Sequence, residues 1–192
     1  MGVAQKKLKA QNSKLKTAMK HYLWLFFLII ILFFKTTPSF AESSYVLPYP
    51  PPLPGSFFYK IRLVSEQIQK YWYFGNFGQF HYSLKQSDKY LVEAKTLFDY
   101  KQYLLALRAL KKSDSYFGKI HPNLLSAKNK GKNISEKQTI LKGAAQKHIE
   151  ELTKLKSTVP SVFDWTPERE SPIELNLWES LDSSIKLRVK RL

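Results

Sequence analysis

The sequence predicts an all-α protein: an antiparallel helical bundle of about five helices, preceded by an N-terminal signal or anchor helix and a proline-rich extended strap. Apolar residues recur every three or four positions over most of residues 57–192, which is the period of an amphipathic helix. Glycine is scarce, with 7 among 192 residues, and the alternating valine, isoleucine and threonine runs that are typical of strands are few. We therefore expect one helical domain with appended segments.

The composition excludes several kinds of site. The chain has no cysteine, so disulfides, thiolate metal ligands and cysteine nucleophiles are excluded. The formal net charge is +16, and seven lysines in residues 1–41 supply a large part of it, which leaves +9 for the remainder. The net positive charge of residues 42–192 favours a partner with an anionic surface. The charge by itself does not indicate nucleic acid, and no nucleic-acid partner is expected.

Residues 1–41 have the three parts of an export signal. Six lysines precede an apolar run at residues 22–34, and small residues follow it, with a predicted cleavage between Ala41 and Glu42. The 13-residue run spans about 20 Å as a helix, short of the roughly 30 Å hydrocarbon core of a bilayer, which favours a cleaved signal peptide. A signal-anchor and a buried helix of a cytosolic protein are the alternatives. Either exported form contacts the membrane at the N-terminus and places the rest of the chain extracytoplasmically.

Residues 42–56 form the predicted strap. They hold five of the ten prolines, and because proline fixes φ and lacks an N–H, the segment is expected to be polyproline II. It is either a stiff spacer or a strap packed along the bundle, and the interleaved tyrosines and leucines favour the strap. A docking ligand for an aromatic groove is a third alternative, since the spacing of the prolines fits PxxP.

The core helices are predicted within residues 57–118. The first runs from Phe57 to about Phe74, and its inward face is expected to be apolar; the second covers about residues 80–98 and the third about residues 103–117. Gly75 and Gly118 are expected to end the first and the third helix. The predicted inward face of the first helix consists of Phe57, Ile61, Val64, Ile68 and Tyr71 or Trp72.

Aromatic side chains are concentrated between residues 71 and 82, where seven of twelve residues are aromatic. Such a cluster can stack against a ligand, and the candidate platform consists of Tyr71, Trp72, Tyr73, Phe74 and Phe77. Aromatic clusters more often fill the corner of a small core. We therefore expect these side chains to be buried against the later helices.

Residues 119–134 are predicted to be a lysine-rich loop. The candidate anion contacts are Lys119, Lys128, Lys130, Lys132 and Lys137. They would bind anionic lipid headgroups or a phosphate-bearing wall polymer. A solvated loop without a partner is the alternative.

The C-terminal helices are predicted within residues 135–192. Each is expected to begin at a capping box, the first at Ser135 and the second at Ser171, with an acidic link between them. The four histidines lack the spacing of a metal site. His148 is therefore expected at a helix interface, not as a metal ligand.

Catalytic motifs are missing from the sequence. It contains no GxSxG, no P-loop, no Rossmann glycine pattern and no paired-histidine metal motif. Asp88 and Glu93 are candidate carboxylates, but five positions on a helix set them roughly 140° apart around its axis. No enzymatic activity, cofactor or metal is expected.

Four stretches carry a resemblance to a known family: YVLPYPPPLPG, KYWYFGNFGQF, SDKYLVEAKTLFDYKQYLLALRAL and AAQKHIEELTKLKSTVP. Over roughly residues 45–160 the chain resembles a bacterial family of exported or membrane-anchored helical domains of unknown function. The resemblance implies an extracytoplasmic all-α fold and no known catalytic residues. The hairpin with Ala94 and Ala106 also resembles a single tetratricopeptide-type unit.

The function predicted from these features is that of an exported, non-catalytic interaction or structural module of the bacterial envelope, with a protein partner among its expected contacts. One alternative is binding of anionic lipid or wall polymer through the lysine-rich loop. The other is an unrecognised hydrolase of envelope substrates.

Overall fold

The computed structural model describes residues 43–168 and 171–192, and in these ranges the protein is mostly helical. The predicted signal or anchor segment and the predicted cleavage between Ala41 and Glu42 lie outside the described residues. Within the described part, none of the helices has the length and apolar character needed to cross a membrane.

The described residues contain five helices and two strands. In chain order they are α1 (Phe57–Gln69), α2 (Gly75–Asp99), α3 (Tyr103–Asn129), α4 (Ser135–Thr158), β1 (Val162–Trp165), β2 (Ile173–Asn176) and α5 (Leu177–Val189). The mostly helical fold agrees with the sequence-based prediction. The two strands do not, and the all-α class is corrected to a helical fold with a small antiparallel sheet.

Helices α2 and α3 form the long hairpin at the centre of the fold. The turn between them holds Lys101, whose φ of 57° lies in the left-handed region. Ala94 and Ala106 are both fully buried, and their small side chains allow the two helices to approach closely. One apolar cluster, around Leu91 and Leu110, joins this end of the hairpin to α4 and α5. A second cluster, around Phe117, lies toward its other end.

Helix α3 continues well beyond its predicted end at Gly118. It includes Pro122 and ends at Asn129, so most of the predicted lysine-rich loop is helical. Proline removes one backbone hydrogen bond from a helix interior. Ile120, Leu124 and Ala127 are buried in the second cluster, and their burial holds the last turns of α3 in place.

Both predicted capping boxes are wrong. At the start of α4, the Asn133 side chain accepts hydrogen bonds from the backbone N–H and the hydroxyl of Ser135. The segment that begins at Ile173 is strand β2, which pairs with β1. Leu175 is buried in the first cluster, and this burial favours the strand. The cap of α5 is Asn176, whose side-chain oxygen accepts the backbone N–H of Glu179 at 3.1 Å.

Residues 43–53 have neither helix nor strand. The Ser43 hydroxyl donates to the carbonyl of Gly143 at 2.9 Å, and the Tyr45 hydroxyl donates to Asp88 Oδ2 at 2.6 Å. Leu47 and Leu53 pack against the first apolar cluster. This segment is therefore held to α2 and α4 by polar and apolar contacts together.

Candidate functional site

Helix α1 is fixed to α2 through charged side chains. Arg62 Nη2 donates to Glu93 Oε2 at 2.5 Å, and Arg62 Nη1 donates to the carbonyl of Pro52 at 3.1 Å. Glu66 accepts from Lys89 Nζ at 2.5 Å and from the Tyr90 hydroxyl at 2.6 Å. Arg62 and Glu66 are both buried. The polar side of α1 therefore faces the protein.

Burial shifts the titration of this first ionic network. It raises the pKa of the Glu93 carboxyl, although the hydrogen bond from Arg62 opposes the shift. It also raises the pKa of the Tyr90 hydroxyl, and the bond that this hydroxyl makes to Glu66 adds to the rise. Each buried polar side chain of this network thus has a hydrogen-bond partner that offsets part of the cost of its burial.

The apolar side of α1 faces outward, which contradicts the predicted inward face. The exposed fractions are 74% for Phe57, 51% for Ile61, 62% for Val64 and 51% for Ile68. Phe58 beside them is 66% exposed. The periodicity correctly indicated an amphipathic helix, but periodicity does not state which side is covered.

The aromatic turn after α1 extends this exposed surface. Tyr71 is 72% exposed, Trp72 is 70% exposed and Phe74 is 82% exposed, so the expectation that they fill a core corner is wrong. Tyr73 and Phe77 are half-buried: the Tyr73 ring lies 5.4 Å from that of Tyr82, and Lys132 Nζ lies 5.2 Å from the centre of the Phe77 ring. The outward residues of α1 and this turn form one surface, named here the apolar face: Phe57, Phe58, Ile61, Val64, Ile68, Tyr71, Trp72 and Phe74.

A second buried ionic network joins α2, α3, α4 and α5. His148 Nε2 lies 2.7 Å from Asp88 Oδ1, and Arg188 Nε donates to His148 Nδ1 at 3.0 Å. Arg188 Nη1 donates to Asp114 Oδ1 at 2.6 Å, and Nη2 donates to the hydroxyl of Ser113 at 2.9 Å. The prediction that His148 lies at a helix interface is confirmed.

The protonation state of His148 follows from its neighbours. Arginine has no acceptor, so His148 Nδ1 must accept from Arg188, and the ring proton is on Nε2, where it is donated to Asp88. Burial lowers the pKa of His148, the hydrogen bond to Asp88 opposes this, and the nearby Arg188 charge adds to the lowering. Both ring nitrogens are therefore occupied in a fully buried neutral imidazole. Such a ring cannot accept a proton from a nucleophile without losing a partner.

The candidate carboxylates Asp88 and Glu93 are not brought together. Asp88 belongs to the network around His148, and Glu93 belongs to the network around Arg62. Each already pairs with buried donors of its own. Within the described residues, no group of three metal-ligating side chains has the arrangement of a metal site.

The five predicted anion contacts are dispersed. Lys119 and Lys128 lie on α3, and Lys119 Nζ lies 4.9 Å from the centre of the Tyr116 ring. Lys130 Nζ donates to the side chain of Asn76 at 3.2 Å, and Lys137 pairs with Glu136 at 3.0 Å. Together with Lys132 over the Phe77 ring, these side chains do not form a single basic loop.

Basic side chains do converge at another place. Lys128 meets Lys142, Lys190 and Arg191 around a cavity of about 420 Å³. The sequence does not predict this cavity, because its residues come from three separate parts of the chain. The basic sequence of residues 188–191 was the only local indication of it.

The comparisons with known proteins bear on the central part of the chain. Comparisons with curated proteins and with solved structures gave no significant match. A family match covers residues 52–161, more than half of the chain, and its description is Domain of unknown function (DUF5667). This range takes in α1 to α4, including the apolar face and three of the four helices that carry the network around His148. The chain belongs to the DUF5667 family of domains of unknown function.

Proposed function

We propose that this domain is a non-catalytic module of the bacterial cell envelope that lies on a membrane surface through the apolar face. The observation that carries the proposal is the orientation of α1, which turns Arg62 and Glu66 inward and most of its apolar side chains outward. A surface helix of a soluble protein normally has the reverse arrangement. Contiguous exposed apolar patches on folded proteins mark interaction sites.

The ion pairs and hydrogen bonds between α1 and α2 support this proposal. Arg62 and Glu66 pair with buried groups of α2 at 2.5–2.6 Å. Turning the apolar side inward would remove these pairs and leave Glu93 without its arginine. The ionic network therefore presents the apolar face outward as a fixed feature of the fold.

The composition of the apolar face favours a lipid bilayer as its occupant. Tryptophan and tyrosine are the residues enriched at membrane interfaces, and Tyr71 and Trp72 are among its most exposed members. Lys60 and Lys70 are exposed on α1 and directly after it, and lysines beside an apolar helix face attract anionic headgroups. The apolar run at residues 22–34, which predicts export or anchoring, would bring the chain to such a membrane.

The energy available is sufficient for measurable binding. Complete burial of a valine, leucine, isoleucine or phenylalanine side chain contributes about 1.5–3 kcal/mol. Phe57, Ile61, Val64 and Ile68 are 51–74% exposed, so burying the area that remains exposed would contribute roughly 4–7 kcal/mol. Partial burial of these side chains in the bilayer contributes less, but still enough for binding that vesicle experiments detect.

The test uses the absence of native cysteine. Spin labels are attached to the full chain at Ile61→Cys or Val64→Cys, with Gln146→Cys on α4 as the exposed control. After reconstitution into vesicles of phosphatidylglycerol and phosphatidylcholine, accessibility to oxygen and to a water-soluble nickel complex is measured. We expect the labels at 61 and 64 to be reached by oxygen and shielded from nickel, while the label at 146 is reached by nickel.

The opposite outcome would remove the proposal. If the nickel complex reaches the labels at 61 and 64 as readily as the label at 146, the apolar face does not contact lipid. The full chain is anchored by any membrane-bound N-terminal segment in every variant. The comparison therefore reports the contact of α1 and not the attachment of the chain.

A further inference from the structure

A basic cavity lies where the end of α3, the first half of α4 and the C-terminal residues meet. Its volume is about 420 Å³, within the range of small-molecule sites. Five basic side chains line it, together with the amide of Gln138: His121, Lys128, Lys142, Lys190 and Arg191. None of the acidic side chains of the described residues lines it.

Within the described residues, the lysines and the arginine of this cavity have no ion-pair partner, unlike the paired lysines elsewhere on the surface. Lys156 pairs with Asp182 at 2.6 Å and Lys95 pairs with Glu151 at 2.5 Å. In the part of the chain that the structure describes, no such ion pair involves Lys128, Lys142 or Arg191. Arg191 Nε is buried and has no hydrogen-bond partner among the described residues. A buried donor without an acceptor indicates a missing partner.

The other lining residues, apart from Gln138, have apolar side chains. They are Leu124, Leu125, Ile134, Leu141 and Leu192, of which Leu124, Ile134 and Leu141 are buried and Leu125 is 45% exposed. The lining of the cavity thus combines cations with hydrocarbon. A matching ligand has an anionic group at one end and a hydrocarbon part at the other.

We propose that this cavity binds a phosphate-bearing amphiphile, with its phosphate at Arg191, Lys142 and Lys190 and its hydrocarbon against Leu124 and Leu125. Guanidinium groups bind phosphate through two parallel hydrogen bonds, and lysine adds point charge. This inference is independent of the proposed contact of the apolar face with lipid, because it uses different residues.

His121 supplies a local reporter for the bound phosphate. Burial lowers the pKa of His121, and the charge of Arg191 lowers it further. A phosphate bound between them would neutralise the Arg191 charge and favour the imidazolium. Binding is therefore expected to raise the pKa of His121, which its imidazole NMR signals measure directly.

The test titrates the full chain with dihexanoyl phosphatidic acid below its critical micelle concentration, and separately with glycerol 3-phosphate and with inorganic phosphate. We expect saturable binding of the phosphatidic acid with a rise in the pKa of His121. The two phosphates without hydrocarbon should bind at least 10-fold more weakly. Arg191→Gln and Lys142→Gln should each weaken binding of the phosphatidic acid about 10-fold.

The matched control is Lys101→Gln, which makes the same change of charge in the turn before α3, roughly 40 Å from Lys128 at 1.5 Å per residue. It should change the affinity less than twofold. Absence of saturation, or equal losses in Lys101→Gln and Arg191→Gln, would overturn the site. Equal affinities for inorganic phosphate and the phosphatidic acid would overturn the assignment of an amphiphile.

The two proposals can fail separately. Ile61→Ser on the apolar face should leave the titration with phosphatidic acid unchanged. Arg191→Gln should leave the oxygen and nickel accessibility at residue 61 unchanged.

Discussion

Arg188 is the residue on which the interior ionic network depends, and we predict a large loss of stability for Arg188→Met. Its side chain is fully buried and donates to His148, Asp114, Ser113 and the carbonyl of Ser184. Methionine keeps much of the volume and removes the charge with every one of these bonds. Removing one member of a buried ion pair costs about 3–5 kcal/mol, because the remaining charge is left uncompensated.

Two features of the structure refine this magnitude. Asp114 is 27% exposed, so water can solvate part of its charge once Arg188 is removed. This solvation reduces the part of the stability loss that comes from Asp114. His148 and Ser113 are fully buried and cannot reach water in the same way. A loss near 4 kcal/mol would be a large part of the roughly 5–15 kcal/mol that stabilises a typical domain.

The assay is urea unfolding followed by circular dichroism and by tryptophan fluorescence. Arg188→Met should lower the free energy of unfolding by about 3–5 kcal/mol. The matched control is Lys156→Met, which breaks a partly exposed ion pair with Asp182 and should cost at most about 1 kcal/mol. Arg188→Met with Asp114→Asn should be less destabilised than the sum of the two single variants, since the pair is coupled. A loss below about 1 kcal/mol for Arg188→Met would refute the reasoning.

Two further predictions concern single buried side chains. Burial lowers the pKa of His148 from its usual value of about 6.5, so its contribution to stability is complete above about pH 6.5 and is lost as the pH falls below that value, at up to about 1.4 kcal/mol per pH unit. The free energy of unfolding in urea should therefore depend less steeply on pH in His148→Gln than in the wild type. Equal slopes in the two proteins would contradict this prediction. Gln86 is fully buried and neither polar atom of its side chain has a partner among the described residues, so Gln86→Met should raise the free energy of unfolding by about 1 kcal/mol, whereas a loss of stability would show that the amide has a partner such as a buried water.

The helical hairpin could be predicted because its signal is local. The spacing of Leu84, Leu91 and Phe98 defines the buried side of α2, and the turn near Lys101 interrupts the periodicity before α3 begins. The burial of Ala94 and Ala106 in one cluster also follows from two short side chains near a turn. In each case neighbours in sequence are neighbours in space, so periodicity is sufficient.

The boundaries at Gly118 and Ile173 could not be predicted in the same way. Gly118 and Pro122 are helix breakers by propensity, but burial of Ile120 and Leu124 overrides them. Ser171 and Pro172 formed a plausible helix start, yet the segment after them pairs with β1. Both outcomes depend on contacts with distant parts of the chain, which local propensity does not contain.

The sites required the tertiary structure for the same reason. The basic cavity combines Lys128, Lys142 and Arg191, which lie far apart in sequence and meet only when α3, α4 and the C-terminal residues pack together. The network of Asp88, His148 and Arg188 likewise joins three helices. Residue types alone do not indicate which charges will share an interior.

The sequence by itself determined that this chain is mostly helical, that it lacks cysteine chemistry, and that an amphipathic helix follows the proline-rich segment. Only the tertiary structure decided which side of that helix faces outward. Periodicity measures how apolar and polar residues alternate around an axis, and it is the same for a helix in either orientation. The pairs that Arg62 and Glu66 make with α2 fix the orientation, and so leave Ile61 and Val64 exposed.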